Sequence, residues 1–331
     1  MWRVLVTPAS FGQGDPGPLE RLMRAGIEVV RSPVGRPLTD HELAGLLGDI
    51  DGIVAGVDHI GREALAAGRP RLKVISRYGV GIDTVDLAEA TRCGVVVTNT
   101  PGANSDAVAD LVFGLMISLA RHIPEANEAT RQGRWERFMG QELTGKTLGL
   151  VGFGRVARAV ARRAAGFAMR VLACDVVWDG EQAGRLGVER AGLEELLQQA
   201  DFLSLHAPLT PETHHLIGAR ALRSMKPTAY LINTARGGLV DTQALVQALS
   251  EGWIAGAALD VYEAEPPSDP QLLQAPHLIL TPHMGAHTTE AATRMGYLAA
   301  DNLLAVLQGL RPEHVVNPEV YSQPGPESRA G

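Results

Sequence analysis

The chain is poor in the features that mark several classes of protein. It has two cysteines, Cys93 and Cys174, in 331 residues. That makes a disulfide framework implausible and fits a reducing compartment. No uninterrupted apolar segment reaches the length needed to span a bilayer, because Asp110 interrupts the most apolar stretch, around 105–120. The N-terminus, MWRVLVTPAS, enters a strand-like run without a signal-peptide layout, so a cytoplasmic location is expected. Basic charge is not in excess. The net charge is −7 and the pI near 5.8, which argues against general binding to nucleic acid or anionic membranes. A metal cluster is also missing: His283 and His287 stand four apart in TPHMGAH, but Pro282 and Gly285 disfavour regular helix and no third ligand lies nearby.

What is present is a chain 45% hydrophobic and long enough for two domains. WRVLVT (2–7), IEVV (27–30), DGIVAG (51–56), LKVISR (72–77) and GVVVTN (94–99) read as buried strands, with helical spacing in PLERLMRAG and DHELAGLLGDI between them. A long helix follows in SDAVADLVFGLMISLARHI, with Ser105 as N-cap and Pro124 beyond its end. A second alternating series supplies six strands: TLGLVGFG, RVLACD, DFLSLHAP, AYLINTA, AGAALDVY and LILTPH. A final helix covers TEAATRMGYLAADNLLAVLQGL. Two α/β series joined by long helices predict two Rossmann-like domains with doubly wound parallel sheets. A cofactor domain, 104–286, is inserted into a flavodoxin-like substrate domain, 1–103 and 287–320, with a disordered tail at 321–331. The cleft between them is the expected site.

The strongest local signal is LGLVGFGRVA (148–157), an apolar strand running through a glycine turn into an Ala-rich helix. Gly152 permits the tight turn, and Gly154 lets the backbone approach a pyrophosphate at the helix N-terminus. Ala157 holds the place of the third glycine. The next strand ends in Asp175, about 20 residues on, where a carboxylate can accept from ribose hydroxyls and repel a 2′-phosphate. NAD is therefore expected. Later strands end in Arg236, Asp260 and His283, with Glu265 following Asp260. Each has a bland reading: a surface ion-pair partner, a turn residue or a satisfied buried histidine. Together they offer a cation for a carboxylate, and an imidazole with a neighbouring carboxylate to supply a proton.

Seven strings in order carry a resemblance from about residue 50 to 317: RYGVGIDTVD, TNTPGANSDAVADL, ELTGKTLGLVGFGRVA, HAPLTPETHHLI, LINTARGGLVD, ALDVYEAEP and TPHMGAHTTEA. The chain resembles the D-isomer-specific 2-hydroxyacid dehydrogenases. That resemblance implies that Arg236 binds the substrate carboxylate and that Glu265 orients the catalytic His283. Asp260 would hold the nicotinamide, and Val80, Gly81 and Asn104 would contact the substrate. It places NAD against Gly152, Gly154, Arg155, Val156, Asp175, His206, Ala207, Pro208, Thr213, Thr234, Ala235, Asp260, Gly285 and Ala286. It also implies a homodimer through the arm around Trp135, and gives His287 no role. Within the family the chain resembles the short 3-phosphoglycerate dehydrogenases of serine biosynthesis, through GANS, EATRCGVVVTNTP and GRWERFMG. One departure stands out: Gly56 and its neighbours provide no cation where a phosphate-binding Arg stands in many such enzymes, leaving Arg77 as the candidate replacement. Reduction of glyoxylate, hydroxypyruvate or another 2-keto acid, oxidation of a phosphite-type anion, and an NAD-sensing corepressor-like role are the alternatives.

Overall fold

The computed structural model describes residues 1–322 and divides into two compact units, Met1–Asn104 with Ala286–Gly331, and Ser105–Gly285. The first holds five parallel strands: β1 (Arg3–Val6), β2 (Glu28–Arg31), β3 (Gly52–Ala55), β4 (Val74–Arg77) and β5 (Val96–Thr98). Their spatial order is β2-β1-β3-β4-β5. β3, β4 and β5 are buried throughout, which is why GIVA, VISR and VVT show no alternation of apolar and exposed polar residues. The helix Thr289–Leu307, capped by the Thr288 side chain, covers this sheet; a side chain added at Gly52 would meet Val74 and Leu303.

The second unit carries seven parallel strands: β6 (Thr147–Val151), β7 (Arg170–Cys174), β8 (Val188–Arg190), β9 (Phe202–Leu205), β10 (Tyr230–Asn233), β11 (Gly256–Leu259) and β12 (Leu278–Leu280). The order is β12-β11-β10-β9-β6-β7-β8, so the winding reverses between β6 and β9. In open sheets of this kind ligands sit outside the carboxyl ends of the strands at that reversal. Alternate side chains go to two cores. Leu148, Leu150 and Ile232 face the helices Ser105–Arg121 and Arg155–Gly166, while Val151, Leu203 and Leu231 pack on the other face.

Four local expectations need correction. The second sheet has seven strands because β8, Val-Glu-Arg, pairs at the edge despite its polar sequence. Ser105 is the first helical residue and not a cap outside the helix. Pro124 does not follow the last helix before the glycine motif. It lies in the first turn of another, Ile123–Arg131, where its missing N–H costs nothing. At the C-terminus Tyr321 and Ser322 close the 3-10 helix Pro318–Ser322, and the rest of the expected tail lies outside the described residues. No single helix among the described residues is long and apolar enough to cross a membrane.

Candidate active site and dinucleotide cradle

Gly152 ends β6 with φ +92°, and a Cβ there would lie 2.8 Å from the backbone of His206 and Ala207. Only glycine fits that crossing. Gly154, one turn on, has open space around its Cβ position and opens the helix Arg155–Gly166. Arg155 and Val156 form that helix's first turn, and Ala157 is fully buried against the sheet. The Asp175 carboxylate is fixed at the end of β7 by the Phe153 N–H (2.6 Å) and the Val177 N–H (2.9 Å). On the other side of the reversal, His206 follows β9 and shares a 3.0 Å hydrogen bond with the Ser204 hydroxyl. Burial pushes this imidazole down to about 3, so it is neutral near pH 7. Thr213 donates to the Pro208 carbonyl at 2.7 Å and so shapes the turn beyond Ala207.

Thr234, after β10, has a buried hydroxyl with no hydrogen-bond partner among the described residues. A buried orphan oxygen is costly unless a ligand or water meets it. The open glycine turn, the fixed carboxylate and this hydroxyl together fit a dinucleotide, which Gly152, Gly154, Asp175 and Thr234 would hold.

The catalytic candidates converge within the same unit. Asn233 brackets the turn after β10: its carbonyl oxygen accepts from the Ala235 N–H and its amide donates to the Arg236 carbonyl. A Cβ at Gly237 would fall 1.9 Å from the Tyr262 backbone, so no side chain can follow Arg236. Glu265 sets one carboxylate oxygen 2.7 Å from His283 Nδ1 and receives the Tyr262 N–H on the other at 3.1 Å. Burial acts to raise the Glu265 carboxyl. The His283 hydrogen bond and charge, the Tyr262 N–H and the Arg236 charge outweigh it and hold the group below the usual glutamate range. Glu265 is thus an ionised acceptor that fixes the His283 tautomer with Nδ1–H toward it, leaving Nε2 for chemistry.

His283 itself adopts φ +51°, unusual for a non-glycine residue, and its loop is braced from below. Asp260, 1% exposed, accepts from the Thr281 hydroxyl (2.6 Å) and the Met284 N–H (2.8 Å) on one oxygen, and from the Gly285 N–H (2.8 Å) on the other. Tyr262 donates to the Thr281 and Leu259 carbonyls; burial, aided by the Asp260 charge, pushes its hydroxyl up to about 12. The structure therefore brings Arg236, Glu265 and His283 together, and gives Asp260 the visible task of shaping the His283 loop. Asn233, Tyr262 and Thr281 were not singled out by sequence; the only hint was their presence inside the matching strings.

The remaining candidates belong to the first unit. Val80 and Gly81 lie in the loop after β4, Asn104 is half-buried at the end of its segment, and Ala286 and the exposed His287 precede the helix Thr289–Leu307. His283 and His287 thus fall in different units. Among the described residues no group of three or more His, Cys, Asp or Glu side chains could hold a metal ion. Trp135 is 84% exposed on an extended arm anchored by the Gln141 N–H to the Ala120 carbonyl.

Residues 113–285 match the family described as D-isomer specific 2-hydroxyacid dehydrogenase, NAD binding domain. A glyoxylate reductase from Thermococcus litoralis is 45% identical over 288 residues, covering 84% of this chain and 87% of its own. A D-3-phosphoglycerate dehydrogenase from Methanocaldococcus jannaschii is 44% identical over 294 residues, covering 88% of this chain but 56% of its own length. Among solved structures, a D-lactate dehydrogenase from Aquifex aeolicus complexed with NAD and lactic acid superposes with a TM-score of 0.82 at 29% identity. That match covers 95% of this chain and 99% of the other. With the glycine cradle, the Arg–Glu–His group and these likenesses in hand, the chain belongs to the D-isomer-specific 2-hydroxyacid dehydrogenases and is an NAD-dependent oxidoreductase of CH–OH groups.

Proposed function

We propose that the chain reduces small, unphosphorylated 2-keto acids, glyoxylate and hydroxypyruvate foremost, and that 3-phosphoglycerate, the first expectation from sequence, ranks below them. The observation that carries this choice is Asp58. It is 2% exposed, and its carboxylate accepts from the Gly56 N–H (2.9 Å), the Leu38 N–H (2.9 Å) and the Thr7 hydroxyl. The stretch that offers no cation for a phosphate thus holds a fixed anion beneath its backbone, and like charge disfavours a phosphate dianion. The glyoxylate reductase relatives point the same way.

When bound, NAD in its reduced form supplies the hydride. Arg236 pairs with the acid's carboxylate, a match that a guanidinium makes in bidentate fashion. His283, doubly protonated and held through its Nδ1–H by Glu265, gives its Nε2 proton to the carbonyl oxygen as charge develops there. The exposed Trp135 and Met139, 92% exposed on the same arm, support a homodimer through that segment. The two free cysteines support a cytoplasmic setting, and the acidic balance argues against nucleic acid or an anionic membrane as partner, leaving Arg236 as the local cation for a small anion. The test is a panel of glyoxylate, hydroxypyruvate, pyruvate and 3-phosphohydroxypyruvate with NADH and NADPH. Clear preference for the phosphorylated acid refutes the substrate assignment, and no turnover of any refutes the reaction.

A further inference from the structure

Phe153, the residue between Gly152 and Gly154, has its backbone and its ring held by partners outside the turn. Its N–H donates to Asp175 at 2.6 Å. Its carbonyl accepts from Arg158 Nε at 3.0 Å, the side chain reaching back one turn along the helix Arg155–Gly166. Its ring, 2% exposed, stacks on Trp178 with centroids 5.2 Å apart and planes 25° from parallel. The Arg158 guanidinium lies 5.3 Å from the centre of the same ring and sets Nη2 3.0 Å from the Asp179 carboxylate. Asp179 also caps the helix Gly180–Leu186 by accepting the Gln182 N–H at 3.1 Å. Arg158 therefore joins the glycine turn to the segment after β7 that carries Asp175.

That latch bears on one peptide in particular. In a planar trans peptide the N–H points opposite to the C=O. Drawing the Phe153 carbonyl toward Arg158 turns the Gly154 N–H the other way, and nothing among the described residues accepts it. With the peptide reversed, a carbonyl oxygen would take the place of that N–H at the helix N-terminus, where a dinucleotide's pyrophosphate sits, and would repel it. Reversal would carry φ at Gly154 from its present −76° to positive values, which glycine tolerates. The backbone at Gly154 thus permits both orientations, and the Arg158 contact selects one.

We propose that Arg158 is a positioning residue for NAD, acting through the Phe153 peptide and not as a ligand of the phosphates. With its charge engaged by Asp179 and its Nε by the Phe153 carbonyl, the guanidinium keeps the Gly154 N–H free for the pyrophosphate and the turn in register with Asp175. An arginine suits the task because two nitrogens of one rigid fork serve Phe153 and Asp179 at once; a lysine ammonium is a single point on a flexible stem.

The test titrates NADH onto the ligand-free protein, read by NADH fluorescence, in the wild type, Arg158→Met, Arg158→Lys and Asp179→Asn. Steady-state kinetics on the 2-keto acid that the wild type reduces best accompany it. Arg158→Met should raise the NADH dissociation constant about tenfold, the scale of one lost hydrogen bond to a charged group, and the KM for NADH with it. The KM for the acid, and kcat at saturating NADH, should move by less than about twofold, the signature of lost ground-state binding of the cofactor. Arg158→Lys should fall between. Asp179→Asn can still accept the Gln182 N–H, and should weaken NADH about threefold, the scale of a part-exposed ion pair. It decides the matter if Arg158→Met fails to fold. An unchanged NADH dissociation constant in Arg158→Met, with only the melting temperature lowered, overturns the proposal. So does tighter binding in Asp179→Asn, the outcome if a released guanidinium takes the phosphates directly.

Discussion

Replacing Asp260 by Asn should loosen the His283 loop at a calculable scale. The carboxylate accepts three hydrogen bonds, two on Oδ1 and one on Oδ2. The least damaging orientation of the amide keeps its oxygen toward Thr281 and Met284 and turns NH₂ toward the Gly285 N–H, leaving donor facing donor. One charge-assisted bond is then lost and a buried N–H is left unmet, together costing about 2–4 kcal/mol. In a domain of this size that is a fall in melting temperature of roughly 5–15 °C. The same slack moves His283, whose backbone already holds the sparsely populated left-handed region. A displacement near 1 Å at a proton donor lowers kcat by about 10²-fold. Thermal unfolding and steady-state kinetics on one preparation make the check. A variant that melts within a degree of wild type with undiminished kcat would show that Asp260 does not brace the loop.

Other outcomes follow from single contacts. His283→Asn should lower kcat by roughly 10²–10⁴, whereas His287→Asn should change it little; equal losses would overturn the assignment of the proton to His283. NAD should be preferred to NADP, and Asp175→Ala should narrow the gap in kcat/KM, because the carboxylate held by the Phe153 and Val177 N–H groups repels a 2′-phosphate. His206 has a folded pKa near 3 and an unfolded one near 6.5, so between these values the unfolded chain binds the extra proton. Stability should therefore fall as pH drops below about 6.5, by up to about 1.4 kcal/mol per unit. Urea midpoints at pH 7 and pH 5 measure this, and an equal drop in His206→Asn would rule the residue out as its source.

How much was legible in the sequence depended on whether a residue's role is local. The buried strands were readable because parallel strands covered on both faces tend to be continuous apolar runs, as GIVA and GAAL are. β8 was not, since an edge strand of three residues can carry Glu189 and Arg190 in solvent and still pair. The helix Ile123–Arg131 escaped because proline marks both helix ends and helix starts, and only the bend at His122, φ +51°, decides between them. At the site the glycine turn and the Arg–Glu–His set were readable because each sits at a strand end with a fixed neighbour in sequence. Asp58 was not. Its partner Thr7 is brought to it only when β1 and β3 pair, Leu38 reaches it from the segment after β2, and nothing local in VDHI announces either.

Two loops, one in each unit, use one physical device with opposite signs. Under the loop 78–81 a buried cation, Arg77, takes the Tyr78 and Gly81 carbonyl oxygens and so fixes both ends of that loop. Under the loop 281–285 a buried anion, Asp260, takes N–H groups and so fixes the backbone from which His283 projects. In each case a charge that would be expensive alone is offset by several backbone partners. The charge then acts through the geometry it imposes on its neighbours. This explains why Arg77 and Asp260, both named from the sequence as ligand contacts, have their visible partners in the backbone of their own loops. It also separates the two classes by experiment: removing a contact residue should depress kcat with the fold intact, whereas removing a brace should lower stability and activity together.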